Sequence, residues 1–211
     1  MHKSVLISIR PRWIEKIAKG EKSIEVRKTR PKLNTPFKCY IYCTKGQNPV
    51  LVGLQNLEDS PVVMTCGKGT KRYPVEDTSW ARLLNGTVCG EFICNHIYQY
   101  TTMSIKDDTD ISDEDMERLS CLTHRELEKY ELSSMKEEGL WCFGLYGWHI
   151  AYLKIYDEPK ALSSFASPDL ISAWKEYAAC EERFGSLMDV VPPDHFKYRI
   201  KRPPQSWCYV V

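Results

Sequence analysis

An α+β fold, a small mixed β-barrel decorated with helices and helical insertions, is the architecture that this sequence predicts. Two observations carry that expectation: the strand-like stretches are short, and few helical patterns lie among them. A parallel doubly wound sheet would need a helix after nearly every strand. With 211 residues, 43% hydrophobic and 27% charged, the chain is long enough for one elaborated domain. We read 1–211 as a single domain with its barrel core at about 1–45, 86–103, 145–160 and 203–211, interrupted by insertions at about 46–85, 104–144 and 161–202.

The elements follow in order. Ser4 to Ile9 reads as a short strand, and Arg10-Pro11 starts a helix with proline in its first turn, where the missing N–H is harmless. Trp13, Ile14, Ile17 and Ala18 give that helix one apolar stripe, and Gly20 stops it in the position where a left-handed residue closes a helix. Residues 23 to 28 alternate, which puts Ile24 and Val26 on the core side and Ser23, Glu25 and Arg27 on the other. Further strands are expected at 37–44, at 88–98 after the turn dipeptide Asn85-Gly86, at 148–156 and at 206–211. The first insertion is rich in glycine and proline. The second is acidic and helical, with LTHRELEKY as its clearest helix. The third holds a helix from Pro168 to Phe184, capped by Ser167, ended by Gly185 and burying Leu170, Ile171, Trp174 and Tyr177.

Composition narrows the function. No apolar run of about 18 residues exists, and the apolar stretch at the N-terminus is too short for a signal peptide, so we expect a cytoplasmic protein with no membrane partner. Nine cysteines make an odd number with no export signal, and we read them as reduced, with Cys39 and Cys43 on one strand face as small hydrophobes. Cys89, Cys94 and His96 come nearest to a zinc set but lack a CxxC pair or second histidine, so neither a metal nor a cofactor is expected. The net charge of +1 hides a split. Residues 1–45 carry twelve Lys or Arg against three Glu, and residues 104–140 carry five against twelve acids. That split suits either a polyanion-facing end and a solvated acidic end, or two solvent-exposed faces. GKGTK at 67–71 lacks the spacing of a phosphate-cradling loop, which argues against a nucleotide triphosphatase. Neither a Gly-x-Ser-x-Gly elbow nor HExxH is present, and His124 and His149 read as structural.

The specific signal is at the start. SIRP at 8–11, a short helix, and then Gly20, Lys22, Glu25 and Arg27 in the order G-x-K-x-x-E-x-R resemble the ASCH family of the PUA-like superfamily. The closing RPPQSWCYVV is similar to the last strand of larger bacterial and phage members. The resemblance implies a β-barrel whose cleft is lined by the motif, in a family thought to bind RNA or modified nucleosides. The chemistry agrees: Lys22 and Arg27 suit phosphate or a base acceptor, and Glu25 suits an exocyclic amine or a ribose hydroxyl. Arg10, Arg12, Lys28, Arg30 and Lys32 would add sequence-independent attraction, and Trp13 or Trp207 a stacking face. Ser8, Gln205 and Ser206 complete the expected binding set. Two plainer readings stand beside this one: Trp13 as core packing, and Glu25 with Arg27 as an ion pair that closes the barrel.

The first expectation is therefore a binder of RNA, of another nucleic acid or of a modified nucleoside. A second is a hydrolase acting on a modified nucleoside or on RNA, with Lys22 and Glu25 as its catalytic pair. Some small ASCH-like proteins deacylate N4-acylcytidines with a lysine in this motif and a threonine three residues on. Here Glu25 occupies that threonine's place, and Ser23 is the nearest hydroxyl. A third is a protein-interaction adaptor that uses the acidic segment and the 168–184 helix.

Overall fold

The computed structural model describes residues 3–46, 50–54, 61–65, 81–102, 109–133, 144–184 and 191–211. The GKGTK stretch and Gly185 lie outside them. Strand β1 (Ser4–Ile9) is followed by helix α1 (Pro11–Ala18) and strand β2 (Ile24–Arg27), then β3 (Phe37–Cys43). Three short strands come next: β4 (Val50–Leu54), β5 (Pro61–Thr65) and β6 (Ala81–Leu83). After them run β7 (Val88–Tyr100), helices α2 (Asp113–Ser120) and α3 (His124–Leu132), the long β8 (Leu145–Lys160), helix α4 (Asp169–Phe184) and β9 (Trp207–Val210).

Six strands form one mixed sheet in the order β2-β8-β7-β3-β1-β9, with β1 and β3 parallel and the other pairs antiparallel. Strand β2 stands first in that order and β1 fifth, yet the Arg27 guanidinium reaches the Ser8 carbonyl at 2.6 Å. Only a curled sheet allows that, so the fold is the expected α+β class in the form of a half-barrel. Register shifts along β7 against β8 supply the bend, as bulges do elsewhere. The other three strands pair in the order β5-β4-β6. They fall inside the first insertion, where no strand is legible in the sequence.

Apolar residues of β1, α1, β3 and β7 fill the main core together with Trp148. Cys39, Ile41 and Cys43 share its face of β3 and are fully buried. Burial pushes the Cys43 and Cys94 thiols up to about 12, so they stay protonated and pack as hydrophobes. Helix α1 ends as its sequence predicts: Gly20 has φ +73, its N–H bonds to the Ile17 carbonyl and that of Glu21 to Lys16, the paired bonds of a Schellman turn. A smaller core joins Ile24 and Val26 to Tyr100, Met116, Leu127 and Leu145, so β2 is covered by α2 and α3 on the face turned from the cleft.

Helix α4 departs from expectation. Leu170 is buried, but Ile171 and Tyr177 are half-buried and Trp174 is exposed. Its apolar pattern has the helical period, but among its residues only Leu170 is buried. The Ser167 hydroxyl bonds to the Asp169 carboxylate at 3.0 Å. Among the described residues, no helix is long and apolar enough to cross a membrane.

Candidate functional site

The open side of the curl is a cleft of about 670 Å³. Its floor is Ser8 of β1, Lys22, and Glu25 to Arg27 of β2. One wall is the start of α1, with Arg10, Arg12 and Trp13; the other is α3, with Glu126, Lys129, Tyr130 and Ser133. Thr44, Leu122 and Gln205 complete the lining.

Alternation on β2 explains the floor. Ile24 and Val26 enter the smaller core, so Glu25 and Arg27 must face the cleft. Both are nonetheless buried, at 6% and 8% exposure, as is Lys22 at 2%. Glu25 Oε1 lies 3.0 Å from the Arg27 guanidinium, and its Oε2 lies 3.4 Å from the Lys22 ammonium. The Lys22 contact is an ion pair without hydrogen-bond alignment, and Glu25 Oε2 and Arg27 Nε are left as buried polar atoms lacking a hydrogen-bond partner. Desolvation is the larger influence on Lys22 and lowers its pKa, although the Glu25 charge pulls it back up.

Tyr130 brings a phenol to the same place. Burial raises its pKa, with the Arg27 charge opposing, and the Lys28 ammonium sits over its ring at 5.0 Å. Helix α3 is held firmly enough to serve as a wall. Thr123 and Glu126 form a capping box at its start. Near its end the buried Glu131 carboxylate accepts from the Thr101 hydroxyl, the Thr102 hydroxyl and the Thr102 N–H, all at 2.7–2.8 Å.

Of the residues expected from sequence, Ser8, Arg10, Trp13, Lys22, Glu25, Arg27 and Gln205 line the cleft. Trp13 has both of the roles weighed for it: it is half-buried against the main core, and its face receives Arg12 at 4.3 Å and Lys22 at 5.1 Å. Lys28, Arg30, Ser206 and Trp207 stand outside the lining. Lys28 donates to the Ser133 hydroxyl at the rim, and Arg30 lies over Tyr146. The Ser206 carbonyl accepts the Ser8 N–H. Trp207 is half-exposed, with its ring packed on Trp148 and its indole N–H donating to Thr29. Sequence reasoning did not find the α3 wall. LTHRELEKY reads clearly as a helix, but only the tertiary fold shows that Lys129 and Tyr130 face the motif.

The lining carries five cationic side chains, Arg10, Arg12, Lys22, Arg27 and Lys129, against the two carboxylates Glu25 and Glu126. Such a cleft attracts anions at its rim and offers a carboxylate at its floor.

No family model matches the chain, and no curated protein does. Among solved structures it is similar to the ASCH protein of Zymomonas mobilis, with 16% identity and a TM-score of 0.46, over 98% of this chain and 86% of that one. Two single-substitution variants of that protein are similar at 14% and 13% identity, with TM-scores of 0.41 and 0.40. These likenesses span 99% and 98% of this chain, and 90% and 87% of those.

Proposed function

We propose that the cleft binds a nucleotide of single-stranded RNA, or a modified nucleotide, with the base toward Glu25 and the phosphates toward the cationic rim. The observation that carries this reading is one buried carboxylate set between two buried cations at the floor of a positively lined cleft. A purely basic patch attracts phosphate without regard to the base. A fixed carboxylate accepts hydrogen bonds from an amine or hydroxyl and so distinguishes ligands that carry one. Trp13 and Tyr130 offer aromatic faces, and a base stacked on either is worth about 1–3 kcal/mol. Lys201 and Arg202 are exposed and stand a few residues before Gln205 of the lining, near in sequence to Pro204, whose carbonyl accepts the Ser8 hydroxyl.

Fluorescence anisotropy of short labelled single-stranded RNA, single-stranded DNA and duplex at two salt concentrations tests the reading. We expect salt-dependent binding to single strands that is lost in Glu25→Gln combined with Arg27→Ala. Binding that ignores salt, or that survives this double change, would place the ligand elsewhere or remove it.

One observation favours a second reading, hydrolysis of a modified nucleoside or of RNA. Lys22 is buried with a lowered pKa beside Glu25, and the carboxylate would take a proton from the attacking water. Turnover of acylated nucleosides or of RNA that disappears in Glu25→Gln would select this reading over binding alone.

A further inference from the structure

The motif lysine is the group that first suggests a phosphate contact, but its surroundings assign it other work. An ammonium has three N–H donors. Lys22 Nζ has three acceptors around it: the Ile24 carbonyl at 2.8 Å, the Ser120 carbonyl at 2.7 Å and Glu25 Oε2 at 3.4 Å. The Trp13 ring covers it at 5.1 Å. Backbone carbonyls take two of its three donors, and Glu25 is the acidic group beside the third, so the ammonium is committed to the fold.

Ser120 is the last residue of α2, where unpaired carbonyls and the negative end of the helix dipole gather. The loop before β2 meets that helix end at two further points. The Ser23 N–H bonds to the Leu119 carbonyl at 2.9 Å, and the Cys121 thiol to the Glu21 carbonyl at 3.2 Å. Three successive residues of the motif loop are thus joined to three successive residues that end α2, with the buried ammonium in the centre. Helix α3 begins three residues after Cys121 and carries the second wall of the cleft.

We infer that Lys22 is a positioning residue: its ammonium caps α2, ties the helical insertion to the cleft floor and orients Glu25, and it does not contact the ligand. The anchor itself is a property of the fold, and its consequence for binding rests on the nucleic-acid reading above. Lys22→Met should then misplace Glu25 and the α3 wall together. It should lower affinity by about tenfold or more, as small misplacements of a supported group do. The dependence of affinity on salt should not change, because every phosphate keeps its cation. Arg12→Ala, which removes a cation from the exposed rim, should instead reduce the salt slope by about 0.7 for each phosphate left without its cation.

The experiment combines amine acylation of the wild-type protein, with and without a single-stranded RNA 12-mer and read by mass spectrometry, with salt titration of Lys22→Met. We expect Lys22 to resist acylation in both states while rim lysines react, and Lys22→Met to keep the wild-type salt slope. A Lys22 that reacts in the free protein and is protected by RNA overturns the inference, as does a slope that falls with Lys22→Met as it does with Arg12→Ala. If the wild type binds no RNA, the nucleic-acid reading fails. Acylation of the free protein still decides the anchor, resistance supporting it and reaction overturning it. Acylation also decides if Lys22→Met does not fold.

Discussion

Glu25 and Glu91 both stand on strands of one sheet with a lysine alongside, and they are built in opposite ways. Glu91 is partly exposed, and each of its oxygens has a hydrogen bond: Oε1 from Lys38 at 3.1 Å and Oε2 from the Tyr156 hydroxyl at 2.6 Å. Glu25 is buried and flanked by two buried cations, but one of its oxygens lacks a hydrogen bond. A structural carboxylate on a sheet surface is satisfied cheaply, with water for the remainder. A buried and underbonded one is costly to keep and calls for an explanation, which a bound ligand would supply. On the reading proposed above, the comparison separates a carboxylate that serves the fold from one that serves the cleft.

The largest effect should come from Glu25→Leu. Lys22 and Arg27 would then face each other across the cleft floor with no anion between them, a loss of about 3–5 kcal/mol for a broken buried ion pair. Urea denaturation should show it as a lower midpoint with an unchanged slope. A loss below about 1 kcal/mol would mean that water already reaches the triad, and the contrast with Glu91 would weaken.

Next in size is Glu131→Ala, which tests whether the α3 wall belongs to the site. It leaves the Thr102 N–H and two threonine hydroxyls without their acceptor, at about 1–3 kcal/mol for a buried unsatisfied group. RNA affinity should fall with it, although Glu131 does not line the cleft. Affinity that holds while stability drops would confine recognition to the barrel wall.

How much of this was legible in the sequence follows from where the determining interactions lie. The strand, helix and glycine of residues 4–20 are set by local pattern and capping, and they stand where the sequence puts them. Cleft placement of Glu25 and Arg27 follows from period-2 alternation once Ile24 and Val26 are known to be core. Tyr130 and Lys129 meet the β2 side across about 100 residues of chain, as the Lys28–Ser133 bond does, and the Glu131 lock closes on Thr101 and Thr102 about 30 residues away; no local pattern encodes either. The surroundings of Trp207 and the outer face of α4 were hidden for the same reason. An aromatic residue in a strand or an apolar stripe on a helix fixes a direction, and the partner in that direction is a tertiary fact. The strands β4, β5 and β6 were hidden by the glycine and proline around them.

The smallest effect belongs to Glu91 and reads out in acid. Burial alone would raise its carboxyl pKa, but the Tyr156 hydroxyl and the Lys38 ammonium outweigh burial and hold it below the ordinary 4.5 of a glutamate. A carboxyl whose folded pKa is lowered contributes stability that is fully present above its unfolded pKa and is lost as pH falls through the folded one. The window therefore opens near pH 4.5 and extends downward. Glu91→Gln should flatten that part of the stability profile, and Tyr156→Phe should do so partially, with about 1 kcal/mol or less at neutral pH for a partly solvated bond. Chemical denaturation at a series of pH values between neutrality and the acid limit measures both. Neither change should alter RNA affinity, since neither residue lines the cleft. If Glu91→Gln weakened binding as Glu25 substitutions do, the two carboxylates would be parts of one site, and burial with an unmet oxygen would no longer be the mark that tells them apart.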